Sequence, residues 1–450
     1  MTARSYRESL DFLFARTTGQ WKLGLERIEA LLGALGDPQR RLRTLHVAGT
    51  NGKGSVCASL DTVYRARGLR VAKYTSPHLV DFRERFLVDG VPVTEAAIVA
   101  FLDRWTPTVE RLGATFFEAT TAMAFHLFAE AEVDVAIIET GLGGRLDASN
   151  AHVPMVAGVT NIGLDHVEWL GHTRERIAPE KAGIYKAGVP AVVGEPDTPI
   201  REILRSEAAR RGAGPIRVVA EEGLAADVRV TAAGTSFRWE PLPGRLGVGA
   251  AAAGGGSGGD AGRRAAGPLD VTIALPGRHQ ASNAMVALTM LDAVPGPLRV
   301  PAAEAIPALA RVRLPGRFSR HGAWIFDVAH NPDGAEVTAA TLRAVAPAAP
   351  VVALVSVLGD KDWRGILRAL GGAVDRFLLT NAPTAPASRA WVAAEALEFA
   401  KARGYQAELE PDFDRALAVA PSRGVTVLVT GSFHTVGDAM ARLQVSPTPG

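Results

Sequence analysis

Short apolar runs rich in β-branched residues alternate along this chain with longer stretches rich in alanine and leucine. The alternation predicts an α/β fold, in which helices cover both faces of a parallel sheet. The predicted strands of a first sheet are residues 44–47, 133–138, 156–161 and 189–193. The pattern returns after residue 300, and the predicted strands of a second sheet are residues 324–328, 351–357, 377–380 and 425–430.

The stretch between the two sheets has a different composition. Residues 228–239 are predicted to form a strand or hairpin, whereas residues 247–267 are almost entirely Ala, Gly, Ser, Asp and Arg. Such a segment cannot bury enough apolar surface to order itself, and we expect a flexible surface loop. A helix over residues 283–291 should close the first domain, and the proline-punctuated residues 294–301 are the expected linker. We therefore predict two domains, residues 1–297 and 298–450.

Length and composition agree with two globular domains. At 450 residues the chain exceeds what one hydrophobic core usually supports. With 47% hydrophobic residues and a net charge of +2, it does not resemble a nucleic-acid binder. Cys57 is the single cysteine, which excludes an intramolecular disulfide and a Cys-rich metal site. No apolar run is long enough for a signal peptide or membrane span, so we expect a cytoplasmic protein without a nucleic-acid or membrane partner.

A glycine-rich segment, LHVAGTNGKGS at residues 45–55, follows the first predicted strand. Glycines let backbone N–H groups turn towards phosphate oxygens, and Lys53 supplies a positive charge for the β- and γ-phosphates. The segment departs from the generic P-loop because Val47 stands at the first glycine position and Gly54 separates Lys53 from Ser55. A glycine-rich turn can also serve tight packing alone, but the lysine and the serine favour a nucleotide site.

Two polar residues follow predicted strands at an edge where open α/β sheets bind ligands. Glu139 comes directly after the apolar residues 135–138, and His166 follows the strand at residues 156–161. Carboxylate oxygens suit Mg²⁺, which phosphoryl transfer requires. From position alone Glu139 could equally be a solvated strand end, and an isolated histidine is more often structural.

The segment HVAGTNGKGS resembles the phosphate loop of the Mur ligase superfamily, in particular of its folylpolyglutamate synthase/dihydrofolate synthase family. Further segments match in order along nearly the whole chain: YTSPHL at 74–79, ETGLGGRLDASN at 139–150, TNIGLDH at 160–166, EKAG at 180–183, GRHQ at 277–280, PGR at 315–317, DVAHNP at 327–332, GDKD at 359–362 and TGS at 430–432. The resemblance implies an N-terminal P-loop-type ATP-binding domain with a parallel sheet, a smaller C-terminal Rossmann-like α/β domain, and an active site between them.

The resemblance also implies how ATP and two magnesium ions are held. It assigns ATP binding to Gly49, Thr50, Asn51, Gly52, Lys53, Gly54, Ser55, Asn283, Arg317 and Asp327. It places one Mg²⁺ on Ser76 and Glu139 and a second on His166. The lysine of the EKAG segment is typically carbamylated in this family, so we expect Lys181 to be a metal ligand as its carbamate. Lys53, Glu139, His166 and Lys181 are then the expected catalytic residues.

The acceptor and amino-acid sites are implied in the same way. The residues expected to bind the folate are Thr115, Phe116, Phe117, Leu146, Asp147 and Ala148, and those expected to bind glutamate are His330 and Ser432. Phe116 and Phe117 could stack on a flat pterin, although paired aromatic residues more often belong to a core.

The reaction implied is ATP-dependent addition of L-glutamate to dihydropteroate, or to the γ-carboxylate of a reduced folate, through an acyl phosphate. One alternative is a folylpolyglutamate synthase that lacks the dihydropteroate reaction. A ligase acting on UDP-muramoyl peptides is less favoured, because the 48 residues before Gly49 are too few for the additional nucleotide-sugar domain expected of it. A noncatalytic ATP-binding protein is the third alternative. The family resemblance implies a monomer.

Overall fold

Two α/β domains follow one another in the part of the chain that the computed structural model describes, residues 4–17, 24–242 and 267–447. Each domain has a mainly parallel sheet with apolar clusters on both faces. The predicted α/β fold is confirmed. Within these described ranges, no helix is both long enough and apolar enough to cross a membrane.

The larger sheet of the first domain has eight strands among the described residues, in the order β4-β3-β2-β5-β1-β6-β7-β8. They are β1 (Thr44–Ala48), β2 (Val71–Tyr74), β3 (Phe86–Val88), β4 (Val91–Pro92), β5 (Val135–Glu139), β6 (Val156–Val159), β7 (Ala191–Val193) and β8 (Ile216–Val218). Strand β3 pairs antiparallel with both β2 and β4 at one edge, and the other pairs are parallel. All residues of β1, β5 and β6 are buried, as expected of strands with helices on both faces.

Helices cover this sheet on both sides. They are α1 (Tyr6–Phe14), α2 (Glu26–Ala34), α3 (Lys53–Ala66), α4 (Glu95–Arg111), α5 (Phe116–Glu130), α6 (Val167–Leu170), α7 (Arg174–Ala182), α8 (Thr198–Arg210), α9 (Val219–Glu222), α10 (His279–Ala293) and α11 (Ala302–Leu309). Beside them lies a small antiparallel sheet of β9 (Gly223–Thr231), β10 (Gly234–Pro241) and β11 (Leu269–Ile273). The fully buried Trp239 of β10 joins this small sheet to the core of the domain.

The second domain contains a smaller sheet in the order β12-β13-β17-β14-β15-β16. Its strands are β12 (Ser319–His321), β13 (Trp324–Phe326), β14 (Val351–Val355), β15 (Arg376–Leu379), β16 (Ala407–Leu409) and β17 (Thr426–Thr430). Its helices are α12 (Pro332–Val345), α13 (Trp363–Leu370), α14 (Ala393–Ala402), α15 (Phe413–Arg423) and α16 (Phe433–Arg442). Short 3₁₀ turns at Pro38–Arg41, Phe82–Arg85, Ala148–Asn150, Gly296–Leu298 and Ala387–Arg389 complete the helical elements of the described ranges.

All eight predicted strands are present, with ends that differ by at most two residues. The predicted hairpin at residues 228–239 is confirmed as β9 and β10, and the predicted helix at 283–291 lies inside α10. Strand β2 was not predicted, because Lys73 interrupts its apolar pattern. The structure buries Lys73 and places its ammonium group 3.9 Å from Asp61 of α3, so a central strand carries a charge.

The core of the first domain continues past the predicted boundary after residue 297. Val300, Ala305 and Val312 belong to the same buried cluster as Leu60 of α3 and Leu288 of α10. The predicted linker at 294–301 therefore lies within a continuous core, and we propose that the passage between the domains is at residues 313–317. The predicted flexible loop at 247–267 lies, apart from Gly267, outside the described residues.

Candidate active site

The segment between β1 and α3 has the backbone shape of a phosphate loop. Gly49 and Gly52 take φ values of +149° and +85°, which favour glycine. A Cβ at Gly49 would collide with the side chain of Thr160, and one at Gly52 with the side chain of Asn283. Helix α3 begins at Lys53, so the first N–H groups of the helix have no carbonyl partner within it. These N–H groups and the positive end of the helix dipole form an anion-binding site.

A cavity of about 630 Å³ opens between the domains in front of this loop. On its floor, the Lys53 ammonium donates hydrogen bonds to the carbonyl oxygens of Gly49, at 3.1 Å, and Thr50, at 3.2 Å. The cavity is lined by these predicted site residues: Gly49, Thr50, Asn51, Gly52, Lys53, Gly54, Ser55, Ser76, Glu139, His166, Lys181, Asn283, Arg317, Asp327 and His330. The structure thus gathers every predicted ATP and metal residue, and one of the two predicted glutamate residues, around one space.

Ser76 and Glu139 meet at the carboxyl ends of β2 and β5. The N–H group of Ser76 donates a hydrogen bond to Glu139 Oε2 at 3.1 Å. Burial raises the pKa of Glu139, and the positive charge of Lys53 opposes that shift. A carboxylate and a hydroxyl facing a phosphate loop are the hard oxygen donors that Mg²⁺ prefers. Among the residues described, no three His, Cys, Asp or Glu side chains form a metal cluster.

Lys181 lies near the end of α7 and reaches the same loop. Its side chain is buried, and the ammonium donates a hydrogen bond to the carbonyl oxygen of Gly49 at 3.0 Å. Burial, and secondly the charge of Lys53, lower the pKa of Lys181 to about 7. A substantial fraction of this amine is therefore neutral near neutral pH, as carbamate formation requires.

Asp165 connects the two domains across the cavity. Its carboxylate lies 2.5 Å from the Lys361 ammonium and 3.3 Å from His330 Nε2, and both partners belong to the second domain. Burial alone would raise the pKa of Asp165, but the hydrogen bond from His330 and the neighbouring positive charges hold that pKa well below its usual range. Burial lowers the pKa of the adjacent His166 to about 4, so at neutral pH its imidazole is neutral and suited to bind a metal.

Asn283, Arg317 and Asp327 line the part of the cavity where the domains meet. Asn283 lies against Gly52 of the phosphate loop, and the Arg317 guanidinium lies over the ring of Phe433, 5.3 Å from its centroid. The Asp327 carboxylate accepts hydrogen bonds from the N–H groups of Phe318 and Ala329 and from the Thr338 hydroxyl. In this arrangement the carboxylate also fixes the turn after β13, which is a structural role beside the predicted contact with ATP.

The residues predicted to bind folate do not line this cavity. Thr115 caps α5, and the ring of Phe117 lies directly against Gly141. Phe116 stacks on Phe14 with ring centroids 5.5 Å apart, in an aromatic group that also contains Phe82 and His78. Phe117 reaches the cavity only through Gly141, which lines it, and contact of these residues with folate stays a prediction.

The remaining predicted folate residues form the loop after β5. Leu146 is partly buried, and Ala148 and Asp147 are buried. The Asp147 carboxylate accepts hydrogen bonds from the Leu142 N–H at 2.7 Å and from the Ser149 hydroxyl at 2.5 Å. Ser149 in turn bonds to His46 of β1. Asp147 therefore holds the loop whose beginning, at Gly141 and Leu142, lines the cavity.

Ser432, the second residue predicted to bind glutamate, does not line the cavity. Its hydroxyl accepts a hydrogen bond from the Thr435 N–H at 3.0 Å and caps α16, and the side chain is buried outside the cavity lining. A direct contact with glutamate stays a prediction for this residue.

Asp165 and Lys361 are two residues of the domain contact at the site to which the sequence assigned no role. Both stand in segments that matched, TNIGLDH and GDKD, but they are 196 residues apart and in different domains. An acidic residue in one matching segment and a basic residue in another indicate that each could belong to the site. Their pairing could be seen only after the domains were placed.

Comparison with known proteins agrees with the geometry. The family model of the Mur ligase middle domain matches residues 47–291, and that of the Mur ligase glutamate ligase domain matches residues 314–433. The dihydrofolate synthase/folylpolyglutamate synthase of Escherichia coli (strain K12) is 36% identical over 421 residues, which cover 93% of this chain and 90% of that protein.

Solved structures show the same similarity. The Escherichia coli FolC structure in complex with DHPP and ADP aligns with a TM-score of 0.81 at 32% identity, over 98% of each chain. A bifunctional folylpolyglutamate synthase/dihydrofolate synthase with Mn, AMPPNP and L-glutamate bound aligns with a TM-score of 0.77 at 32% identity, over 98% of this chain and 100% of that chain.

Proposed function

The chain belongs to the dihydrofolate synthase/folylpolyglutamate synthase family of the Mur ligases, and from this premise we propose how its residues carry out the family's reaction. The enzyme is an ATP-dependent ligase that joins L-glutamate to dihydropteroate, or to the γ-carboxylate of a reduced folate, through an acyl phosphate. The observation that supports this most is the cavity between the domains, which Lys53, Glu139 and His330 line together with the phosphate loop.

The reaction needs a better leaving group than a carboxylate provides. An oxygen of the acceptor carboxylate attacks the γ-phosphorus of ATP, an O–P bond forms, and the bond between the γ-phosphorus and the bridging oxygen breaks to release ADP. The glutamate amine then attacks the carbonyl carbon of the acyl phosphate, loses a proton, and phosphate leaves. The N–H groups at the start of α3 and the Lys53 ammonium stabilise the charge on the transferred phosphoryl group.

We propose two magnesium sites on the cavity wall. Ser76 and Glu139 would hold one ion, and His166 with the carbamate of Lys181 the second. When bound, Mg²⁺ neutralises the negative charge of the triphosphate. The neutral imidazole of His166 and the carboxylate of Glu139 supply donors of the required chemistry.

The carbamate of Lys181 would form when the neutral amine attacks carbon dioxide. A C–N bond forms, one C=O π bond of carbon dioxide opens, and one proton leaves, so the neutral amine becomes an anion with two oxygen donors. Counted from the ammonium form, two protons are released. A buried ammonium beside Lys53 is electrostatically unfavourable, and the conversion removes that repulsion. Intact-protein mass spectrometry in labelled bicarbonate should detect one added carbon dioxide, and Lys181→Ala should abolish the addition.

Binding of the two co-substrates is proposed from the same arrangement. His330 lies opposite the phosphate loop and would orient glutamate, as predicted, with its ring held by Asp165. The folate would enter beside Phe116, Phe117 and the loop at residues 141–148. A cytoplasmic location and a monomeric state remain proposals, for which the composition and the family resemblance are the support.

The test is ADP formation by the purified enzyme with three acceptors, each with its amino acid: dihydropteroate, tetrahydrofolate and a UDP-muramoyl peptide. We expect glutamylated products from the first two acceptors and none from the third. Product from tetrahydrofolate alone would favour the alternative of a folylpolyglutamate synthase without the dihydropteroate reaction. ADP formation only with the UDP-muramoyl peptide, or with none of the three, would contradict the proposed function.

A further inference from the structure

A buried arginine, Arg85, lies beside the active-site cavity and forms no ion pair with a carboxylate of the described residues. Arg85 is 7% exposed and ends the 3₁₀ turn that precedes β3. Its Nε–H donates a hydrogen bond to His78 Nδ1 at 2.9 Å, which is the one hydrogen bond that its side chain makes with the described residues. The guanidinium carbon lies 5.3 Å from the ring centroid of Phe116 and 5.9 Å from that of Phe82.

No carboxylate in the described ranges forms an ion pair with Arg85. Glu84, its neighbour in sequence, uses its carboxylate to accept hydrogen bonds from the N–H groups of Leu79, Val80 and Asp81. Arginine remains charged in proteins, and a buried charge is costly unless an anion or several acceptors compensate it. Aromatic faces and one imidazole nitrogen leave most of the guanidinium donors without acceptors among the described residues, and these donors are not fully shielded from solvent. This environment is suited to an anion supplied by a ligand.

The position of Arg85 indicates which anion that is. The Thr75 N–H donates a hydrogen bond to the carbonyl oxygen of Arg85 at 3.2 Å, so Arg85 lies beside the segment that carries Ser76. Ser76 lines the cavity, but Arg85 does not. A carboxylate that attacks the γ-phosphorus must come within about 3–3.5 Å of it, inside the cavity. The carboxylate at Arg85 is therefore one that does not react.

The two acceptors differ in whether they carry such a carboxylate. Dihydropteroate has one carboxylate, and that group must react. A glutamylated folate has a reacting γ-carboxylate and an α-carboxylate on the same terminal residue. We propose that Arg85 binds the α-carboxylate of the terminal glutamate when the acceptor is a folate, and that it thereby serves tail extension and not addition to dihydropteroate. This inference rests on the proposed function and names a specificity residue within it.

Substitution of Arg85 should separate the two reactions. For Arg85→Gln we expect kcat/KM for tetrahydrofolate to fall about 10- to 100-fold, the range for loss of a charge-assisted hydrogen bond. Turnover of dihydropteroate should stay within about twofold of the native rate, as for substitutions away from a contact. Equal losses on both acceptors, or no loss on tetrahydrofolate, would overturn the inference. Retained turnover of dihydropteroate shows at the same time that the variant folds and that the proposed function holds.

A second comparison isolates the carboxylate itself. The comparison uses tetrahydrofolate and an analogue in which the α-carboxylate of its glutamate is replaced by an amide. The native enzyme should prefer tetrahydrofolate over this α-amide, and Arg85→Gln should lose that preference. If the variant still discriminated as strongly as the native enzyme, Arg85 would be a structural cation and the inference would be wrong. Arg85→Lys, which keeps the charge without the planar fork, should show an intermediate loss. Arg83→Gln is the matched control, because Arg83 is more exposed and already paired with Asp81, and it should behave like the native enzyme on all acceptors.

Discussion

The ion pair between Asp165 and Lys361 links the first domain to the second across the active site. We predict that Lys361→Met lowers kcat/KM for glutamate, because the arrangement that places His330 opposite the phosphate loop loses its closest charged contact. Asp165 also bonds to His330, so a single substitution there disturbs two partners. Lys361 has the simpler environment and is the better first target.

The size of the effect follows from the geometry. The ammonium and the carboxylate are 2.5 Å apart, and their side chains are 12% and 11% exposed. At an effective dielectric constant of about 20, unit charges this close attract by about 7 kcal/mol before desolvation is counted. Coupling energies of close charge pairs at interfaces are about 1.5–7 kcal/mol. Because desolvation opposes the pair, we expect the lower end, about 2 kcal/mol, which corresponds to about a 30-fold loss in kcat/KM.

The assay is a double-mutant cycle with Lys361→Met, Asp165→Asn and the double variant, in which kcat/KM for glutamate is measured. The loss of activation free energy in the double variant should be smaller than the sum of the two single losses, and the difference, the coupling energy, should be at least about 1.5 kcal/mol. Additive effects within about 0.5 kcal/mol would refute a direct contact. Lys401→Met is the control, because its partner Glu398 lies 3.8 Å away on an exposed surface, and it should change kcat/KM by less than about 0.5 kcal/mol.

Three further predictions concern the phosphate loop, the buried Lys181 and the contact between the domains. Lys53→Ala should lower kcat by about 10²–10³-fold in a steady-state ADP assay, because the transferred phosphoryl loses a preorganised cation. The pKa of Lys181 is lowered to about 7, so the neutral amine is lost as pH falls through that value. At limiting bicarbonate, activity should therefore decrease below about pH 7, and added bicarbonate should restore part of it. A Cβ at Gly437 would collide with the Leu79 carbonyl of the other domain. Gly437→Ala should therefore disturb the domain contact, so that kcat/KM for glutamate falls clearly while the midpoint of thermal unfolding changes little. Gly33→Ala in the open interior of α2 is its control and should be neutral or stabilising by about 0.5–1 kcal/mol.

The sequence predicts the sheets and the phosphate loop because those signals are local. A buried parallel strand shows itself as an apolar run, and the loop residues stand within eleven positions of one another. Glu139 could be placed at the cavity because a residue directly after a buried strand lies at the sheet edge, whatever the rest of the fold. The short β2 was missed because its buried Lys73 breaks the pattern, and the partner that permits the burial, Asp61, is on a helix.

Features that depend on how the domains meet could not be predicted in the same way. The contact of Asp165 with Lys361 joins positions whose spacing in sequence carries no information about distance. The stretch at residues 294–301 has the composition of a linker, but helix α11, which follows it, packs on α3 and extends the first core to Val312. The lack of an ion pair between Arg85 and any described carboxylate also requires the structure, because Glu84 beside it in sequence is the obvious partner.

The central claim is that the acceptor carboxylate is activated by the γ-phosphate of ATP. The most direct measurement starts from dihydropteroate or tetrahydrofolate labelled with a heavy oxygen isotope in the reacting carboxylate, and follows the label by mass spectrometry of the inorganic phosphate. The account predicts that one labelled oxygen appears in phosphate for each amide formed, and that Lys53→Ala slows both to the same extent. Amide formation with no label in phosphate would contradict an acyl phosphate, and with it the role assigned to the cavity between the domains.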